Sequence, residues 1–146
     1  MDDQAVLLAN EAFYQAFAKR DLAAMDKLWS SASPVVCIHP GWAPLFGREL
    51  VMASWRSILD NPRSPAVVCR QPRAFLQGDS AFVVCFEDLG QVFLIATNLF
   101  LREGDGWKLT HHQAGPMPAA EQEEEEDEEE DEDEDEDDET TSERLH

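Results

Sequence analysis

Cysteine is scarce in this chain, and spacing does not pair what there is. Cys37, Cys69 and Cys85 are the only three. An odd number with no CxxC spells neither a disulfide framework nor a zinc motif. Buried thiols acting as small hydrophobes fit such a pattern best. Long apolar runs are missing too: none approaches the ~20 residues that cross a bilayer, which excludes a membrane-spanning helix. The start, Met1-Asp2-Asp3, is acidic and has no apolar core of a signal sequence. A cytoplasmic protein with reduced thiols is therefore expected. There is no Gly-rich phosphate loop, no GxSxG elbow and no dinucleotide fingerprint, so no cofactor is expected. Tyrosine occurs once, at Tyr14.

Basic charge is sparse, and the acidic charge is unevenly placed. The chain carries a formal net charge of -20. Residues 1–120 hold 12 acidic and 10 basic side chains, whereas residues 121–146 hold 19 acidic side chains and one Arg. The excess therefore belongs to the C-terminal run. Such a run buries no apolar area to offset its ordering entropy and repels itself, so residues 119–146 are expected to be a disordered polyacidic tail. The tail is either a solubilising bristle or a docking arm for a basic protein partner, with binding that fades with salt. Phosphate backbones would be repelled, so no nucleic acid is expected as a partner. Residues 1–118 are near neutral and rich in Val, Leu, Phe and Trp, enough for one domain with its own core.

Apolar periodicity orders that domain. Residues 4–19 read as a helix, with Val6, Phe13 and Phe17 on one stripe and Asn10 and Tyr14 on or beside it. Asp21 is a good N-cap for a second helix, Leu22 to about Trp29. Val35 to His39 reads as a short strand, and Pro40-Gly41 as a turn. A third helix follows Gly47 to about Leu59. Strands are expected at 67–76, with Pro72 marking a bulge or an edge, then at 81–88, 92–102 and 107–114. The order α-α-β-α-β-β-β-β is an α+β layout: three helices packed on a curved, mostly antiparallel sheet. Both faces of the 81–88 and 92–101 strands are apolar. Helices cover only one face, so the outer face is expected to make a homodimer.

The ordered set Asn10-Glu11-Ala12-Phe13-Tyr14-Gln15-Ala16-Phe17, Asp21 with Leu28-Trp29, Cys37-Ile38-His39-Pro40-Gly41-Trp42, Gly47-Arg48-Glu49 with Ser54-Trp55, Ala96-Thr97-Asn98, and Gly106-Trp107 with His111-His112 resembles the SnoaL-like branch of the nuclear transport factor 2-like superfamily. The resemblance covers roughly residues 5–118. It implies a cone with a pocket at its wide end and dimerisation through the sheet. It also implies a menu of polyketide cyclases, ketosteroid isomerase-like enzymes, dehydratases and non-enzymatic assembly modules, among which fold does not choose.

Several side chains could serve such a pocket. His39 ends a strand before a turn and could act as a general base, or could simply fix the turn. His111 and His112 must point to opposite faces. Sharing a face with Trp107 and Leu109 places His111 toward the pocket and His112 toward the dimer, unless the register slips by one. Asn98, polar within an apolar strand, needs a partner and could orient a ligand. Tyr14 matches the helix-borne tyrosine that ketosteroid isomerase-like enzymes aim at an enolate oxygen. No matching aspartate is evident: Asp60, Asp79 and Asp88 sit at element ends or in a turn. Trp42, Trp55 and Phe46 are candidates for an apolar wall around a small apolar ligand. Cys37 and His39 share a face, but they supply too few ligands for a metal. Two readings stand: a dimeric, cofactor-independent isomerase, cyclase or dehydratase using His39, His111 and Tyr14, or a non-catalytic dimeric interaction module with an acidic docking tail.

Overall fold

The computed structural model describes residues 2–117. The acidic-tail expectation lies outside the described residues. The chain divides into two units, Met1–Gly115 and Pro116–His146, and the site described below lies in the first. The elements are α1 (Asp2–Ala18), α2 (Leu22–Leu28), β1 (Val36–Ile38), β2 (Leu45–Phe46), α3 (Arg48–Asp60), β3 (Val68–Gln77), β4 (Ser80–Asp88), β5 (Phe93–Glu103) and β6 (Gly106–Pro116). This is the expected α+β order with one addition. The two-residue β2 is too short to show a period, and it pairs antiparallel with β1.

The sheet runs β2-β1-β6-β5-β4-β3. The hairpin-linked β3 to β5 pair antiparallel, while β1 lies parallel to β6. The expected bulge at Pro72 is present: Arg70 pairs with Phe86 and Arg73 with Val84, leaving Gln71-Pro72 opposite Cys85. A proline lacks the N–H that a ladder needs, and Gln71 takes a left-handed φ of 54° to bend the strand around it.

Local chemistry sets the helix ends. The Asp21 side chain accepts from the Ala24 N–H and caps α2. In the turn before α3, Trp42 N–H donates to His39 C=O and Gly41 takes a φ of 82°, which L side chains rarely adopt. Arg48, on the first turn of α3, donates to the carbonyls of Asp26, Trp29 and Ser30, pinning α3 to the end of α2.

The core is aromatic. Phe13 on α1 packs edge-on against Trp55 on α3, with ring centroids 5.5 Å apart, and Trp55 meets Phe17 and His39 at 5.1 and 4.9 Å. Trp55 thus joins both helices to the end of β1, and no smaller side chain fills that volume. Among the described residues, no helix is long and apolar enough to cross a membrane. Trp55→Ala is expected to cost about 3–5 kcal/mol of stability in urea denaturation. A loss below about 1 kcal/mol would show that this joint is not where the helices are held.

Candidate functional site

The residues that matter come from one face of each strand. On β4, Ala81, Val83, Cys85 and Glu87 alternate inward, so a carboxyl group is carried into the core on the same period as its apolar neighbours. Glu87 is 3 % exposed. On β5 the inward set is Ala96, Asn98 and Phe100, and Asn98 is fully buried. From above, α1 presents Asn10 and Tyr14 one helical turn apart.

These groups satisfy one another. Tyr14 Oη donates to Glu87 Oε2 at 2.6 Å. Asn98 Nδ2 donates to Asn10 Oδ1 at 2.9 Å and to Tyr14 Oη at 3.2 Å. The Asn98 carbonyl oxygen faces His112 Nδ1 at 2.5 Å, so that nitrogen carries the proton and donates. Cys85 Sγ lies 3.4 Å from Tyr14 Oη. Because the tyrosine's single proton goes to Glu87, the thiol is the donor there. The hydroxyl therefore has one direction to give and two from which it receives.

Electrostatics follow from burial. Desolvation holds the Glu87 carboxyl above its ordinary range, against the opposing pull of the Tyr14 hydrogen bond. Tyr14 is held well above the usual phenol value by burial and then by the Glu87 charge. Burial lowers His112 to about 3, so its Nε2, 3.9 Å from Glu87 Oε2, belongs to a neutral imidazole rather than to an ion pair.

A groove of about 630 Å³ opens beside this network, between α1 and β3. Leu7, Leu8, Val67 and Val68 give it apolar walls, and Gln4, Glu11 and Gln15 add polar groups. Asn10, Tyr14 and Cys69 connect it to the buried network. The volume falls in the range of small-molecule sites.

Of the residues singled out in the sequence, Tyr14 and Asn98 come together. His39, Trp42 and Trp55 form a second cluster. His39 Nε2 lies 2.9 Å from Ser54 Oγ, whose own proton goes to the Val51 carbonyl, so the imidazole must donate. The Trp42 and Trp55 rings flank it at 4.7 and 4.9 Å, and burial lowers its pKa to about 4. This cluster does not line the α1–β3 groove, so the expected wall of Trp42, Trp55 and Phe46 is not the wall of the groove observed. Phe46 is 65 % exposed on β2.

The two adjacent histidines are exchanged relative to expectation. Along β6, Trp107 and Leu109 are buried, then His112 and Ala114, with Thr110 and His111 half-buried in between. The alternation slips by one residue, as a bulge makes it do, and turns His111 outward and His112 inward. Sequence reasoning missed Glu87 while searching for an aspartate, although Ala81, Val83 and Cys85 already marked its face. Among the described residues, no group of three or more His, Cys, Asp or Glu side chains is placed to hold a metal ion.

Three helices on one face of a six-stranded mixed sheet define the nuclear transport factor 2-like, cystatin-like class. Within it, the chain belongs to the SnoaL-like family, whose domain model matches residues 6–120. A protein from Streptomyces avermitilis, described as a candidate dehydratase of the NTF2-like family, is 35% identical, with 80% of this chain and 96% of that one covered and a TM-score of 0.72. One from Thiobacillus denitrificans, described as a candidate calcium/calmodulin-dependent protein kinase type II association domain, is also 35% identical, with 75% and 92% covered and a TM-score of 0.64. A cystatin-like protein from Caulobacter vibrioides, 12% identical, shares the fold, with 83% and 94% covered and a TM-score of 0.70. No curated protein matches the chain.

A histidine kept neutral by burial takes up its proton only on unfolding. The stability this gives His39 is fully present above about 6.5 and is lost as pH falls toward about 4. Between pH 7 and pH 5, wild type should lose about 2 kcal/mol more than His39→Gln in urea titrations. Equal losses would show that His39 is solvated.

Proposed function

We propose that the domain binds a small, mostly apolar, oxygen-bearing compound in the α1–β3 groove and moves a proton on it through Tyr14 and Glu87. The observation that carries this reading is the 2.6 Å bond from Tyr14 Oη to a buried carboxyl, with Tyr14 itself on the groove wall. A carboxyl raised by burial holds its proton closer to neutral pH, where acid–base catalysis is most effective. With Glu87 accepting the phenol proton, a ligand hydroxyl or acidified C–H reaching Tyr14 Oη gives its proton to that oxygen as the phenol proton passes to Glu87. The reverse transfer, from Glu87 through Tyr14, returns a proton to the ligand. That sequence serves isomerisation, cyclisation or loss of water, and the Streptomyces relative described as a candidate dehydratase supports the last. Glu87 supplies the carboxyl that the sequence alone did not reveal, so His39 and His111 are assigned no proton transfer in this reading.

The test is a thermal-shift and turnover screen with apolar ketones, β-hydroxy carbonyl compounds and polyketide-like aromatics. A bound ligand raises the melting temperature by an amount set by concentration over Kd. Tyr14→Phe and Glu87→Gln should each lower turnover about 100-fold or more, while His39→Gln leaves it nearly unchanged. Full turnover in both of the first two variants would remove the Tyr14–Glu87 mechanism.

A second reading has its own support. Phe75, Phe82 and Leu99 form a row across the outer face of β3, β4 and β5, and Ile95 is exposed on the same face. The relative described as a candidate association domain is in keeping with self-assembly, and the exposed apolar row is the surface that would serve it. In this reading residues 1–118 form a homodimeric module and residues 119–146 an acidic arm for a basic protein. Light scattering should give twice the chain mass for wild type and the single mass for Leu99→Arg. A monomeric wild type would end the dimer.

A further inference from the structure

Two of the three cysteines stand together at the groove, in a place that the proton-transfer reading does not use. Cys69 lies on β3 directly across from Glu87 on β4, and Cys85 is two residues along β4 on the same inward face. They are diagonal neighbours across an antiparallel pair, within reach of one another. Each thiol perturbs the ionisation of the other, as two close neighbours do. Each is also held from the helix side. Asn10 Nδ2 donates to Cys69 Sγ at 3.6 Å, and Cys85 Sγ lies 3.4 Å from Tyr14 Oη.

Access and mobility differ between the two in a useful way. Cys69 is half-buried and lines the groove, so a small reagent entering there meets it first. Cys85 is buried behind it. β3 is the edge strand of the sheet, and its ladder is already interrupted at Gln71-Pro72, opposite Cys85. An edge strand with a bulge can make the small backbone shift that joining two diagonal sulfurs requires. The third cysteine, Cys37, is buried on β1 beside His39 and provides an internal control.

We propose that Cys69 and Cys85 form an oxidation site in which a peroxide entering the α1–β3 groove converts the thiol pair to a disulfide. The Cys69 sulfur takes one oxygen of the peroxide as the O–O bond breaks, and the thiol proton leaves with the other oxygen as water. Cys85 sulfur then attacks the Cys69 sulfenic acid, the S–O bond breaks, and the Cys85 proton completes a second water. Two thiols lose two electrons, and the peroxide gains them. The neighbouring Cys85, and then burial, hold Cys69 above the ordinary thiol value, while Cys85 is lowered by Cys69, so the attack on peroxide is the slow step and the closure by Cys85 the fast one. The product withdraws one donor from Tyr14 and one acceptor from Asn10, so the groove is changed where Asn10, Tyr14 and Cys69 line it. The proposal rests on the placement of the two sulfurs and stands whether or not the domain proves to be an enzyme.

The experiment titrates the full-length protein with hydrogen peroxide, followed by intact mass, thiol counting and a non-reduced tryptic map. The expected result is a loss of about 2 Da per chain, the two thiol hydrogens. Free thiols should fall from three to one, and peptides carrying Cys69 and Cys85 should be linked. Cys37→Ser should form the same link, and Cys69→Ser should not. Dithiothreitol should restore the starting mass. Oxidation that stops at sulfinic acid on Cys69, a link between two chains, a link through Cys37, or three thiols persisting would each overturn the proposal. Because wild type alone decides among these outcomes, misfolding of a variant does not obscure the answer.

Discussion

A carboxyl group carried into an apolar interior has to be met by a proton, and the Tyr14 hydroxyl is what meets Glu87. Everything else in the polar interior is arranged around that bond. The tyrosine must give its only proton to the carboxyl, so its oxygen has to be fed by other donors. Asn98 and the Cys85 thiol supply them. Asn98 can give both amide hydrogens only if its carbonyl is satisfied, which is what His112 Nδ1 does. Four elements, α1, β4, β5 and β6, thereby hold one chain of directed hydrogen bonds. Removing one member leaves a buried partner unsatisfied, at a cost of about 1–3 kcal/mol.

The same chain of bonds links fold to proposed chemistry. Apolar packing of Phe13, Trp55 and Phe17 fixes where α1 lies, and so where Tyr14 stands relative to β4. The groove is then the space left between α1 and the bulged edge strand β3. Its lining mixes apolar and polar side chains, and Tyr14 joins it to the buried carboxyl. The second polar cluster, His39 with Ser54, is closed by Trp42 and Trp55 and holds a neutral imidazole. It ties the end of β1 to α3. The two clusters touch through Trp55, whose ring lies 6.1 Å from that of His112.

Much of this was legible in the sequence, for definite reasons. The Val6, Asn10, Phe13, Tyr14 and Phe17 stripe of α1 and the alternation of β4 and β5 are strong periodic signals, and the elements lie where those periods place them. Pro72 announced its bulge because proline cannot donate to a ladder. The failures are equally physical. The slip in β6 between Leu109 and His112 has no residue signature such as Gly or Pro, so adjacent histidines exchanged faces. Glu87 shares the face of Ala81, Val83 and Cys85, but both faces of β4 are apolar, so the pattern did not say which was inward, and the charge argued for the surface, as it does for most glutamates. The groove could not be read at all, since it depends on how closely α1 approaches β3. β2 is held by tertiary pairing rather than by pattern.

Because Tyr14 is the only tyrosine, tyrosinate absorbance reports on this one hydroxyl without labelling. A spectrophotometric pH titration of wild type and Glu87→Gln is the most direct test of the Tyr14–Glu87 bond. The account predicts that wild-type Tyr14 ionises well above the ordinary phenol value of 10.0, and that Glu87→Gln, lacking the charge, brings the transition down. A tyrosine that titrates at its ordinary value in both proteins would contradict the account, because it would show that Tyr14 is solvated and that Glu87 is held by something else.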